Sequence, residues 1–198
     1  MGTFLEGIEA IRLPCTLALL LPAVAFVLAS GRRAPAAVAA FVVGAGLLAW
    51  ARAAGHWSVE AEGLNALLAA GVLAVAAAAV LRFGSRRPGV EIPTALAAGG
   101  VIGWLWRPCV GAHLGTVLTD APDAPVRTFL LMIVYMTGAC LIAVIVAATP
   151  VAFPRLAAVR DHRATIAVGA VGTAVVALLV AMGLYDNLVA ELLRRSTI

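Results

Sequence analysis

Two cysteines carry most of the chemistry this sequence offers. Cys15 follows Pro14 and Cys109 follows Pro108, and both dipeptides lie inside long apolar runs. A proline within a helix has no N–H to give, and its ring pushes away the carbonyl four residues earlier, here that of Ala10 or Trp104. The helix is therefore broken or kinked just ahead of each thiol. The cysteine then stands near the start of the next helical segment, where free amides and the positive end of the helix dipole favour a thiolate. Two thiols so placed could form and break a disulfide. One Pro-Cys alone reads more simply as a packing cysteine, and it is the repetition at matched positions that favours a redox pair.

The neighbours of Cys109 add to this. Arg107 falls near the middle of an apolar run, where an arginine costs about 2.5–3.5 kcal/mol on insertion scales. Beside Cys109 it would stabilise a thiolate and speed attack on a disulfide. It serves equally well as an arginine that faces a wet cavity or snorkels to a headgroup. His113 is four residues after Cys109 and shares its helix face. It offers a proton shuttle, or a soft-metal site with both cysteines, while the simpler reading is a polar side chain at a water-filled mouth. Cys140 reads as a small helix-packing residue. Three cysteines are too few for a disulfide scaffold, and a zinc-finger spacing is absent. Trp50, Trp57, Trp104 and Trp106 form no cofactor pattern. No cofactor is expected, since a disulfide itself holds two electrons.

The elements that must position these residues follow from composition. Of 198 residues, 63% are hydrophobic and 12% charged, against about a quarter charged in an ordinary soluble domain. Apolar length predicts six transmembrane helices at about 11–30, 35–54, 63–82, 93–119, 127–148 and 164–184. Met1 to Ala10 reads as a short surface segment, with Glu6 and Glu9 where a cleavable signal would be basic. The last residues, 185–198, read as an outer tail with an amphipathic pattern. The 14 basic residues are all arginine and, Arg107 apart, cluster between apolar runs, the pattern of membrane loops and not of a nucleic-acid surface. Eight of them (32, 33, 82, 86, 87, 155, 160 and 163) fall on one side and five on the other. The positive-inside rule then puts both termini outside.

Sliding the chain against itself reveals a repeat. At an offset of 94, Pro14-Cys15 falls on Pro108-Cys109, and the run from Phe41 through Gly44 to Gly46 falls on that from Tyr135 through Gly138 to Cys140. Each unit, about 11–82 and 93–184, holds three spans, so the second enters the membrane with opposite polarity. The expected fold is a single all-α integral membrane domain, six transmembrane helices as two inverted-topology three-helix repeats, with a functional site between the halves. Gly99 and Gly103, like Gly111 and Gly115, have the spacing that lets helices approach closely.

Trp106-Arg107-Pro108-Cys109-Val110-Gly111-Ala112-His113-Leu114-Gly115-Thr116-Val117-Leu118 resembles the W-T-P-C-[IV]-G-P-x-L-G-x-[IV]-L segment of CcdA-type thiol-disulfide transporters, to which the membrane domain of DsbD is similar. Leu13-Pro14-Cys15-Thr16-Leu17-Ala18-Leu19-Leu20-Leu21-Pro22 resembles that family's S-P-C-x-L-P-L-x-P segment. Ala18 stands where the family has a second proline, Pro22 is displaced by one residue, Ala112 replaces a proline, and Arg107 replaces a small polar residue. The resemblance implies a cytoplasmic-membrane protein of a prokaryote. It implies that Cys15 and Cys109 take electrons from cytoplasmic thioredoxin and pass them to extracytoplasmic thioredoxin-like proteins, as in cytochrome c maturation or related thiol reduction. Two other classes stay open on the residues alone: a small-molecule or metal-ion exporter on the same plan, and a structural membrane subunit. An exporter needs polar groups along its path, and Arg107, His113, Asn65 and some hydroxyls are nearly all the spans offer.

Overall fold

A computed structural model describes residues 2–12, 14–30, 33–55, 63–83, 90–105, 124–152 and 163–184, with isolated positions 187, 191 and 194. It is all-α. The helices are α1 (Gly2–Glu9), α2 (Pro14–Ala29), α3 (Ala34–Ala54), α4 (Gly63–Phe83), α5 (Glu91–Leu105), α6 (Pro125–Ala139), α7 (Leu141–Ala152) and α8 (Arg163–Ala181), with a 3-10 turn at Ala10–Arg12 between the first two. An apolar run away from water must satisfy its own backbone, and a helix does so within one segment. Prolines mark several starts. Pro14, Pro35, Pro93 and Pro125 fall in the first turns of α2, α3, α5 and α6, where no N–H is required of them.

Two described segments, Ala34–Arg52 and Ala164–Ala181, are long and apolar enough to cross a membrane, with mean hydropathies of 1.9 and 2.3. The pair α6 and α7 makes a third crossing if counted as one bent span. Shorter apolar helices run over Leu64–Ala79 and Glu91–Leu105. Each of the six expected spans thus contains a helix, but α5 accounts only for the first part of the fourth, whose residues 106–119 lie outside the described residues.

The tightest pairing joins α3 to α5. A Cβ on Gly99 would collide with the Phe41 carbonyl, one on Gly103 with the Ala45 carbonyl, and one on Gly44 with the Leu96 carbonyl. The two backbones therefore touch, as the small-residue spacing of Gly99 and Gly103 predicts. The helices run parallel: Arg33 lies by Glu91 at one end (Nη1 to Oε2, 3.8 Å), and Arg52 reaches Trp104 at the other. Glu91 is buried and sits in the first turn of α5, where a carboxylate complements the free amides. Helix α8 packs on α2 and α4. Outward, α4 shows Leu64 (71% exposed), Leu67, Leu68 and Val75, and α8 shows Val168, Val171 and Leu178. That is an apolar exterior of the kind a lipid environment covers.

Two expectations need correcting. Met1 to Ala10 is not merely a surface segment: α1 docks on α6 with Thr3, Gly7 and Ala10 buried. Nor is the fifth span continuous. It bends by 65° between α6 and α7, at Cys140, whose φ of −91° and ψ of 14° leave the helical region. No proline causes the break. Thr137 donates its hydroxyl to the Ile133 carbonyl at 2.8 Å just before the bend, and Gly138 follows it; the same pairing at Gly172 and Thr173 leaves α8 unbroken, so it does not make the break by itself.

The glycines separate contact from mere composition. In thermal unfolding of the lipid-reconstituted protein, Gly99→Ala is expected to destabilise by about 1–3 kcal/mol through overpacking against backbone. Gly71, whose Cβ would meet nothing within 4 Å, should tolerate alanine or gain up to about 1 kcal/mol. Equal responses at the two positions would show that the α3–α5 crossing does not hold the fold.

Candidate functional site

Pro14 opens α2 and Cys15 follows it in the first turn. A proline at the first helical position is preset for the turn and withholds no needed donor. The thiol-bearing residue therefore belongs to the amide-rich end of a helix, the end that favours a thiolate. Thr16 beside it is fully buried, as are Leu19, Ala23 and Phe26 along the same helix. Pro22 lies inside α2 without ending it. Arg107, Pro108, Cys109 and His113 lie outside the described residues, as does any pairing of Cys109 with Cys15. The elements that lead to them can still be compared, because α5 ends at Leu105, three residues before Pro108.

The comparison exposes a duplicated contact. Gly99 of α5 meets the Phe41 carbonyl, and Gly44 of α3 meets the Leu96 carbonyl. In the other half, Gly7 of α1 meets the Tyr135 carbonyl, and a Cβ on Gly138 of α6 would lie 2.6 Å from the Phe4 carbonyl. Phe41 and Gly44 stand 94 residues before Tyr135 and Gly138, while Phe4 and Gly7 stand 92 before Leu96 and Gly99. So α1 is to α6 what α5 is to α3. Each short helix is locked by a glycine crossing onto another helix, and in the sequence each precedes a Pro-Cys. Helix α2 also touches α5. Sequence reasoning had the Phe41 to Gly46 match but missed Gly7. The two-residue shift takes it out of the 94-residue alignment.

After α1 the chain tightens into the 3-10 turn Ala10–Arg12. At the end of α5, Arg52 donates from Nη1 to the Trp104 carbonyl at 2.8 Å. Nearby, Trp50 donates from its indole to the Thr128 hydroxyl at 3.0 Å and meets Phe129 edge-on at 5.9 Å, which ties α3 to α6. On α1, the buried Oε2 of Glu6 has no hydrogen-bond partner among the described residues. Among those residues no three His, Cys, Asp or Glu side chains gather as a metal site would require.

Cys140 is fully buried and unbridged among the described residues. It packs where Ala139 and Ala143 are equally enclosed, which is the small-residue role expected of it. No family model, curated protein or solved structure matches this chain.

With Cys15 and Cys109 replaced by serine, a bulky maleimide should leave Cys140 unmodified in the folded protein and modify it fully once the protein is unfolded in detergent. Rapid labelling of the folded protein would contradict the burial at the α6–α7 bend.

Proposed function

We propose that this chain is a transmembrane thiol-disulfide electron carrier of the CcdA type, related in plan to the membrane domain of DsbD. Its six spans form two inverted repeats with both termini outside. Cys15 and Cys109 are the redox pair. Their disulfide accepts two electrons and two protons from the dithiol of cytoplasmic thioredoxin, which leaves as the disulfide. The reduced pair then opens a disulfide on an extracytoplasmic thioredoxin-like protein and closes again. The observation that carries the reading is the duplicated crossing, Gly99 on Phe41 and Gly7 on Tyr135. It supports an internal two-fold relation that a chance alignment of alanine-rich segments would not produce, and the Pro-Cys dipeptides follow it in both halves.

Shape supports the same reading. Helix α3 runs unbroken through Gly46 from Ala34 to Ala54, whereas its counterpart is bent by 65° at Cys140, the residue 94 positions later. One sequence pattern is held in two conformations. A carrier that must present its thiols first to one side and then to the other needs such a pair of states. A small-molecule or metal-ion exporter could use the same broken span, since half-helix ends in mid-membrane bind ions.

Mild oxidation of the reconstituted protein, followed by differential alkylation and mass spectrometry, should give a Cys15–Cys109 disulfide and a free Cys140. Thioredoxin should then reduce that disulfide. If both thiols stay alkylatable under oxidation that bridges control dithiols, the carrier reading fails and the exporter reading takes its place. For orientation, single cysteines introduced near Arg86 should react with a membrane-impermeant maleimide only from the cytoplasmic side. Labelling from outside would invert the topology.

A further inference from the structure

We propose that the groove between α4 and α5 is a binding site for one anionic phospholipid, with an acyl chain laid over Gly71 and the phosphate held by Arg82.

The groove opens on the outer surface and has a volume of about 470 Å³, within the range of built small-molecule sites. Leu68, Gly71 and Val75 form one wall, and Pro93, Thr94 and Ala97 the other. Gly71 keeps it open, because a Cβ there would meet nothing within 4 Å. This glycine therefore serves no helix contact, unlike Gly99 across α5. The Thr94 hydroxyl is engaged by its own helix, at 2.6 Å from the Val90 carbonyl and 3.1 Å from that of Glu91. A polar ligand would lose its water here without gaining a partner. A hydrocarbon chain needs only packing, and an unfilled gap along these walls forfeits dispersion contacts.

Depth and charge select the kind of lipid. Helix α4 has 21 residues, about 30 Å at 1.5 Å per residue, which matches the hydrocarbon core of a bilayer. The groove lies against its apolar part, Leu64–Ala79, and Arg82 stands three residues beyond that, in the last turn. Arg82 is exposed. It follows Val75 by seven residues, so it shares that face of the helix about 10 Å further along. A chain in the groove thus carries its headgroup to the level of a cation. On the proposed orientation this is the cytoplasmic side, where the leaflet is anionic.

A second copy of this chain fits the same face less well. The two-fold axis of a closed membrane dimer runs along the bilayer normal and sets equal residues at equal depth. A contact centred on Gly71 and Val75 would then bring Arg82 against Arg82. An anionic headgroup meets the same charge with the opposite sign.

The site owes nothing to the thiols and goes beyond the electron-carrier reading. Its test is native mass spectrometry of the full-length protein, freed from detergent after titration with dioleoyl-phosphatidylglycerol or dioleoyl-phosphatidylcholine. One phosphatidylglycerol should bind at least fivefold more tightly than phosphatidylcholine, about the effect of one arginine at an anionic membrane surface. Arg82→Gln should abolish that preference, and Arg82→Lys should restore it. Gly71→Phe should weaken the first lipid of either kind at least fivefold, and thermal unfolding checks that the fold survives. Ala97→Phe blocks the groove from the other wall and gives the same reading if Gly71→Phe does not fold. Val171→Phe, on the exposed face of α8, should change nothing. Equal affinity for the two lipids, or unaltered binding in the groove-filling variants, overturns the proposal. Displacement of the phospholipid by free glycerol phosphate would overturn it too, since the groove would then play no part. A dimer that dissociates in Gly71→Phe would make the groove a contact between copies and not a lipid site. No cysteine enters these readouts, so failure here leaves the electron-carrier reading untouched, and the reverse holds.

Discussion

Lipid tails are as apolar as leucine, so helices in a bilayer gain little from merely hiding apolar surface against one another. What holds them is the closeness of approach, and in this chain the limit is set by backbone. At the α3–α5 crossing the carbonyls of Phe41, Leu96 and Ala45 occupy the places where Gly99, Gly44 and Gly103 would carry a Cβ. Contacts of the Cα–H···O type become available at that separation, worth perhaps 0.5–1 kcal/mol each, together with dispersion along both helices. The polar contacts depend on the same closeness. Arg33 finds Glu91 and Arg52 finds Trp104 because glycine lets the two axes come near enough between them.

The second constraint is the missing proline donors. A helix can neither continue unchanged through Pro14 or Pro108 nor leave the carbonyl four residues back without a partner. Before Pro14 the chain tightens into a 3-10 turn at Ala10–Arg12, between α1 and α2. Arg52 joins α3 to the end of α5 at the Trp104 carbonyl.

Much of this was readable in the residues. The Gly99 and Gly103 spacing announced a close crossing, and the match of Phe41 and Gly44 to Tyr135 and Gly138 singled out the very residues that meet the lead-in helices. Other features were hidden for physical reasons. The first ten residues carry Glu6 and Glu9 and look like surface, but one glycine, Gly7, is enough to dock them. Nothing at Cys140 resembles a helix breaker: the bend falls just after a glycine, with no proline at the break. Arg52 looked like one of several loop arginines that report orientation. Its partner stands 52 residues away in the chain, and only the folded pairing of α3 with α5 brings them together.

A carrier of electrons asks less of a membrane domain than a carrier of ions. An ion or a polar solute needs ligands or water along its whole path, whereas a disulfide moves two electrons by exchange wherever its sulfurs can be reached. Among the described residues Arg33 meets Glu91, Arg52 meets Trp104, and Trp50 meets Thr128 across helices. Each ties one helix to another near an end of α3, and most buried side chains between these ends are alanine and other apolar residues. Such an interior is suited to sliding and bending, since small side chains interlock little. On the electron-carrier reading this is the economical arrangement. On that reading the halves would change shape around this small-residue core, and the only chemistry that must reach both faces is that of two thiols.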